Sequence, residues 1–160
     1  MDLISSRTID ITKLGMDGLM ERQQAISSNI ANVMTPDYQR KEVAFESQLA
    51  EIIEKEDLKD YIKGQNSIEY VPPNIDVFTG EIHKYRTPNM QEKAFLQYNT
   101  YADFKPQYVT DIYSGSNSDG NNVELEREMM DLSKTGTRYL VLSNLERRQF
   151  AELSSVIRGQ

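Results

Sequence analysis

Few residues of this chain have the type and spacing to do chemistry. The single histidine, His83, has no cysteine and no second histidine with which to share a metal, so it reads as a surface or hairpin side chain and not as a ligand or base. Asn117, Asp119 and Gly120 have the outline of a calcium loop, with Glu126 in its twelfth place. The first place then falls on Gly115, which has no carboxylate to offer, and an EF-hand is excluded. There is no glycine-rich phosphate loop, and no Ser-His-Asp set can be built around one histidine. The sequence therefore yields no catalytic residue, no metal site and no cofactor, and it does not read as an enzyme with a small-molecule substrate. Nine tyrosines and no tryptophan, mostly between 61 and 113, sit in an acidic background. That combination favours protein contacts over single-stranded nucleic acid.

The charge is distributed unevenly. The net charge is −7 over 160 residues. Residues 1–35 carry −1, residues 36–120 carry −6 and residues 121–160 are neutral. Near-neutral ends can pack closely against like neighbours, and an acidic middle suits water. No basic footprint for nucleic acid is present. Without cysteine the chain is indifferent to redox compartment. No apolar run approaches the ~18 residues of a membrane span. A basic segment followed by an apolar one is missing from the N-terminus, so a cleavable signal is not expected.

The elements that must do the positioning lie at the two ends. Ile9, Met16, Gln23 and Ile30 recur every seven residues, and Thr12, Leu19, Ile26 and Val33 form a second row. Together they predict a helix with an a/d-type seam. Thr35-Pro36 should stop it at about Met34, because proline lacks an N–H and disfavours the α conformation before it. Gly15 and Gly18 each cost about 1 kcal/mol in a helix interior, and either weaken it or let another backbone approach. A second long helix is predicted from about Asn122 to Arg158. Leu125, Leu132, Tyr139, Glu146 and Leu153 make one of its rows, and Met129, Gly136, Ser143, Phe150 and Ile157 the other. Leu142, Leu145 and Val156 widen the apolar arc beyond a two-stranded seam. Asn121 is expected to cap this helix, with Glu124 reaching back.

Between them, Phe45, Leu49, Ile52 and Ile53 fall at helical spacing among acidic and basic residues, which predicts a helix with a solvated face. Ile75–Phe78 and Glu81–Tyr85 alternate around Thr79-Gly80 and predict a small hairpin. Residues 91–104 predict a short helix ended by Pro106, and residues 114–122 a flexible link.

Two motifs carry a resemblance. Asn29-Ile30-Ala31-Asn32 followed by Thr35-Pro36 and Tyr38 resembles the N-terminal signature of the bacterial flagellar axial proteins, the rod and hook subunits. Asp37 stands where that signature has glycine, and aspartate enters the left-handed conformation less readily. Asn121-Asn122-Val123, with Glu128-Met129, lies in a run similar to one in the proximal-rod members of that family. The resemblance covers roughly residues 10–49 and 117–142. It implies a structural subunit of the proximal rod of the flagellar basal body, exported without a cleavable signal and located in the periplasm. It implies helical assembly around the export channel and passive torque transmission. It implies as partners copies of itself, other rod proteins, the membrane-ring junction and the export gate. Phe45 and Leu49 also resemble the short element by which early export substrates engage that gate, a spacing equally explained by two core residues one turn apart.

The expected fold is mainly α: two long terminal helices packed as an antiparallel coiled-coil-like pair, with a small irregular or β-hairpin middle segment. Residues 1–35 and 121–160 would form the helical part and residues 36–120 the polar middle. The expected assembly interface comprises Ile9, Met16, Leu19, Ile26, Ile30 and Val33 from the first helix. From the second it takes Leu125, Met129, Leu132, Tyr139, Leu142, Phe150, Leu153 and Ile157. Alternatives are another rod-class axial subunit or, from a different class, a soluble helical adaptor or export chaperone.

Overall fold

The computed structural model describes residues 3–66, 89–110 and 117–158. Helix α1 runs over Leu3–Ala31 and α4 over Leu125–Arg158. The row Thr12, Leu19 and Ile26 is buried, as a seam every seven residues requires. The two helices pack antiparallel, since Asn29 meets Glu128 and Gly15 lies opposite Leu142. The terminal pair is therefore as the sequence predicts.

Several boundaries differ from expectation. α1 ends at Ala31, before Met34, because a run of tight turns takes over at once. The Asn32 amide bonds back to Ser28 and Asn29, and its side chain donates to the Ser28 carbonyl at 2.8 Å. α4 starts at Leu125, and Asn121 does not cap it; the Glu128 N–H instead returns to the Glu124 carbonyl. Residues 117–120 of the expected flexible link form an ordered turn, with the Gly120 N–H bonded to the Asn117 carbonyl.

A short antiparallel ladder, not anticipated, joins β1 (Lys41–Ala44) to β2 (Gln107–Thr110), with Val43 opposite Tyr108. Val43 points into the core and is fully buried, whereas β2 is exposed along its length. Helix α2 (Glu46–Asn66) follows β1 directly. Helix α3 (Met90–Gln97) begins with a capping box in which Asn89 and Glu92 exchange hydrogen bonds, and a 3₁₀ turn follows at Thr100–Asp103. The hairpin expected at 75–85 lies outside the described residues.

The chain divides into two compact units, Met1–Ala50 with Phe104–Gln160, and Glu51–Asp103. In the first, Leu19, Ala25, Val43 and Phe45 form the apolar core, with Leu49, Phe104, Tyr139 and Leu142 packed on it. The second has a more polar centre. There Lys59 donates to Glu56 at 2.8 Å and to the Tyr98 carbonyl at 2.6 Å, and the buried Thr100 hydroxyl donates to Glu56. Burial pushes the Glu56 carboxyl up, but the bonds from Lys59 and Thr100 leave it below its ordinary value.

Candidate functional site

The two sequence motifs, some ninety residues apart, meet in one buried polar junction. At its centre is Glu128, fully buried on the first turn of α4. One carboxylate oxygen accepts from the Asn29 amide at 3.0 Å and the other from Arg40 Nε at 2.5 Å. The Arg40 guanidinium also reaches Glu42 at 3.1 Å and Asp131 at 3.4 Å. Burial alone would lower the Arg40 pKa, but Glu128 and then Glu42 hold it above the usual arginine value. A buried carboxylate needs this much compensation, because an unpaired charge in a protein interior is strongly unfavourable.

Asn29 does more than face Glu128. Its amide nitrogen donates to the Lys41 carbonyl at 2.8 Å, and its oxygen accepts from the Lys41 N–H at 2.9 Å. One side chain thus satisfies both backbone groups of the first β1 residue, as a neighbouring strand would. The Tyr38 hydroxyl donates to the same Asn29 oxygen at 3.3 Å and lies 3.2 Å from Ser28 Oγ.

The second motif closes the junction from the other side. The Asn121 amide donates to the carbonyls of Asn32, Val33 and Thr35, at 2.9, 3.1 and 2.8 Å. Asn121 therefore caps the turn that ends α1, where the sequence had pointed to the start of α4. Asn122 accepts from the Arg40 N–H at 2.6 Å, and Val123 is buried beside it in sequence.

The turn between Thr35 and Tyr38 places Asp37 in the left-handed region that favours glycine. Asp37 has φ of +58°, and Gly120 faces it with φ of +80°. The Asp37 N–H bonds to the Asp119 carbonyl at 3.0 Å. A Cβ at Gly120 would collide with the Asp37 carboxylate, so the aspartate is accommodated because the facing residue lacks one.

Further along the helix pair the packing is apolar. A Cβ at Gly18 would sit 2.5 to 2.8 Å from the Phe45 ring, and one at Gly15 would sit 3.1 Å from Leu142. The glycines admit side chains and not, as one sequence reading had it, another backbone. Arg22 covers the Phe45 ring at 4.8 Å and donates to the Val43 carbonyl at 2.7 Å. It also pairs with Glu46 at 2.6 Å. Burial raises the Glu46 pKa, but the hydrogen bond and charge of Arg22 together with bonds from the Glu46 and Phe45 backbone leave the group below its ordinary value.

The expected assembly residues fall into two sets. Leu19 and Ile26 are buried, and Ile9, Met16, Ile30, Val33, Leu132, Tyr139, Leu142 and Leu153 are half-buried. Leu125, Met129, Phe150 and Ile157 are exposed, with Met129 at 60% and Phe150 at 54%. Leu140, at 64%, joins this uncovered face. Within the second heptad row of α4, Met129, Phe150 and Ile157 are thus exposed, while Gly136 and Ser143 are half-buried and Gly136 faces Gln23 of α1. Of the motif residues, Asn32 and Tyr38 are half-buried, and Ala31, Thr35 and Pro36 are exposed. Arg40, Lys41 and Arg22 were not singled out in the sequence. A lone basic residue carries no local sign of a partner 88 positions away.

No protein-family model matches the chain. Two curated proteins are similar over almost all of it. A flagellar basal body rod protein FlgB from Borreliella burgdorferi is 29% identical over 152 residues, which is 95% of this chain and 96% of that protein. A protein of the same name from Borrelia hermsii is 29% identical over 155 residues, covering 97% and 98%. The chain is FlgB-like. The matched stretches take in the middle segment as well as the two motifs.

Proposed function

We propose that the chain is a structural subunit of the flagellar basal body rod, placed in its proximal part and assembled helically around the export channel. The observation that carries this is the set of exposed apolar residues Met129, Leu140, Phe150 and Ile157 on α4, of which Phe150 and Ile157 lie one heptad apart and Met129 three heptads before Phe150. One face of α4 is used within the subunit and a second stays available for helices of neighbouring copies and related rod proteins. Contacts between unlike faces that do not close into a ring generate a filament. The membrane-ring junction and the export gate are the partners at the base, torque passes through the rod passively, and no catalysis is required. The subunit reaches the periplasm by flagellar export without a cleaved signal. The export-gate reading of Phe45 and Leu49 applies to the unfolded chain, because the folded chain buries Phe45 against Gly18.

The test separates fold from assembly. Leu140→Asp with Phe150→Asp should leave the melting of the purified chain unchanged, abolish swimming and remove the protein from isolated basal bodies. Normal motility and normal recovery in basal bodies would overturn the assignment.

A further inference from the structure

We propose that a polar notch on the flank of the α1–α4 pair is a socket for a carboxylate carried by α2 of a second copy of this chain. The proposal deepens the rod reading above and rests on it for its biological setting. The notch has a volume of about 200 Å³ and is lined by Arg22, Lys41, Lys134 and Arg138 against Glu42 and Asp131, so cations predominate. Most of these charges are engaged. Arg22 is held by Val43 and Glu46, Lys134 lies 3.6 Å from Asp131, and Lys41 sits over the Tyr38 ring at 5.9 Å. Arg138 is exposed and has no ion pair among the described residues. Thr135, a residue only 3% exposed, also lines the notch. An arginine without an ion pair, in a notch whose lining is mainly cationic, is a receptor for an anionic oxygen.

The occupant follows from charge. Residues 36–120 carry −6 and residues 121–160 are neutral. On α2, Glu51, Glu54 and Asp57 are exposed at three-residue spacing, which places them along one helix face. Glu51 is paired with Lys55 at 2.8 Å, whereas Glu54 has no ion pair among the described residues. Two notches face to face would set arginine against arginine, so a symmetric dimer through this site is disfavoured. A notch-to-α2 contact joins unlike surfaces and propagates head to tail.

The test is sedimentation equilibrium of the full-length purified chain at low and high salt. Wild type should self-associate, and more weakly as salt rises. Arg138→Glu alone and Glu54→Lys alone should each weaken association by about tenfold or more. The doubly swapped chain, carrying both changes, should associate again. Thermal melts of all four proteins, taken at a dilution where each is monomeric, should coincide, because both side chains are exposed. A wild-type chain that remains monomeric at millimolar concentration overturns the proposal, as does a double swap that restores nothing. If charge reversal changes neither association nor recovery in basal bodies while the Leu140→Asp, Phe150→Asp chain is lost from them, the socket falls and the rod reading stands. If the socket behaves as described but the protein is missing from basal bodies, the rod reading falls alone.

Discussion

Two stretches of the same helix pair are held in opposite ways. At the end of α1, Asn29, Arg40 and Glu128 form a buried polar cluster with short, directed hydrogen bonds. Around Gly18 the contact is a phenyl ring seated where a side chain is missing. Apolar packing stabilises without demanding one alignment, since cores tolerate volume-conserving exchange. A buried carboxylate demands its partners, and each alternative register would leave it unpaired. The polar end therefore fixes how α1, β1 and α4 align, and the apolar middle supplies the burial that makes the alignment stable.

Glu128→Ala tests the polar end most severely. It leaves the Arg40 guanidinium buried without its main partner and should cost about 3–5 kcal/mol, read by urea denaturation. A loss below ~1 kcal/mol would mean that Glu42 and Asp131 can carry Arg40 alone, and the contrast between the two regions would collapse. Gly18→Ala tests the middle and should cost about 1–3 kcal/mol by overpacking against Phe45. Combining it with Phe45→Leu should cost less than the two changes separately, because the residues touch. Strict additivity would show that the ring simply moves aside.

The turn beside the junction gives an effect of comparable size. Gly120→Ala should destabilise by about 1–3 kcal/mol, because a Cβ is strained at positive φ and also meets Asp37. Repeating it in an Asp37→Gly background should recover only the steric part. The smallest effect is on pH dependence. Glu46 and Glu56 both have folded-state pKa values below the ordinary 4.5. Their contribution is complete above that value and is lost as pH falls through it and below. Glu46 is largely exposed, so Glu46→Gln should flatten the acid limb of stability by under about 1 kcal/mol.

The helices were legible because their signal is local and repeated: rows such as Thr12, Leu19 and Ile26 announce a buried face from one stretch of chain. Strands β1 and β2 were not, since Lys41–Ala44 and Gln107–Thr110 are four residues each and neither has a pattern long enough to read. They exist through pairing across the chain and through Asn29. Asn121 was misassigned for a related reason. An asparagine ahead of a helix locally resembles a cap, and nothing nearby shows that its amide serves carbonyls more than eighty positions earlier. Gly18 was noticed, but the ring that fills its place could be seen only once Phe45 was placed.

The facing pair Asp37 and Gly120 has a consequence for how sequences of this kind can drift. The space between them holds one side chain. With aspartate at 37, a Cβ at 120 meets the carboxylate opposite, and removing that carboxylate would relieve the collision but not the strain of the positive φ. The two positions, far apart in the chain, are therefore coupled: what stands at 37 limits what 120 can hold.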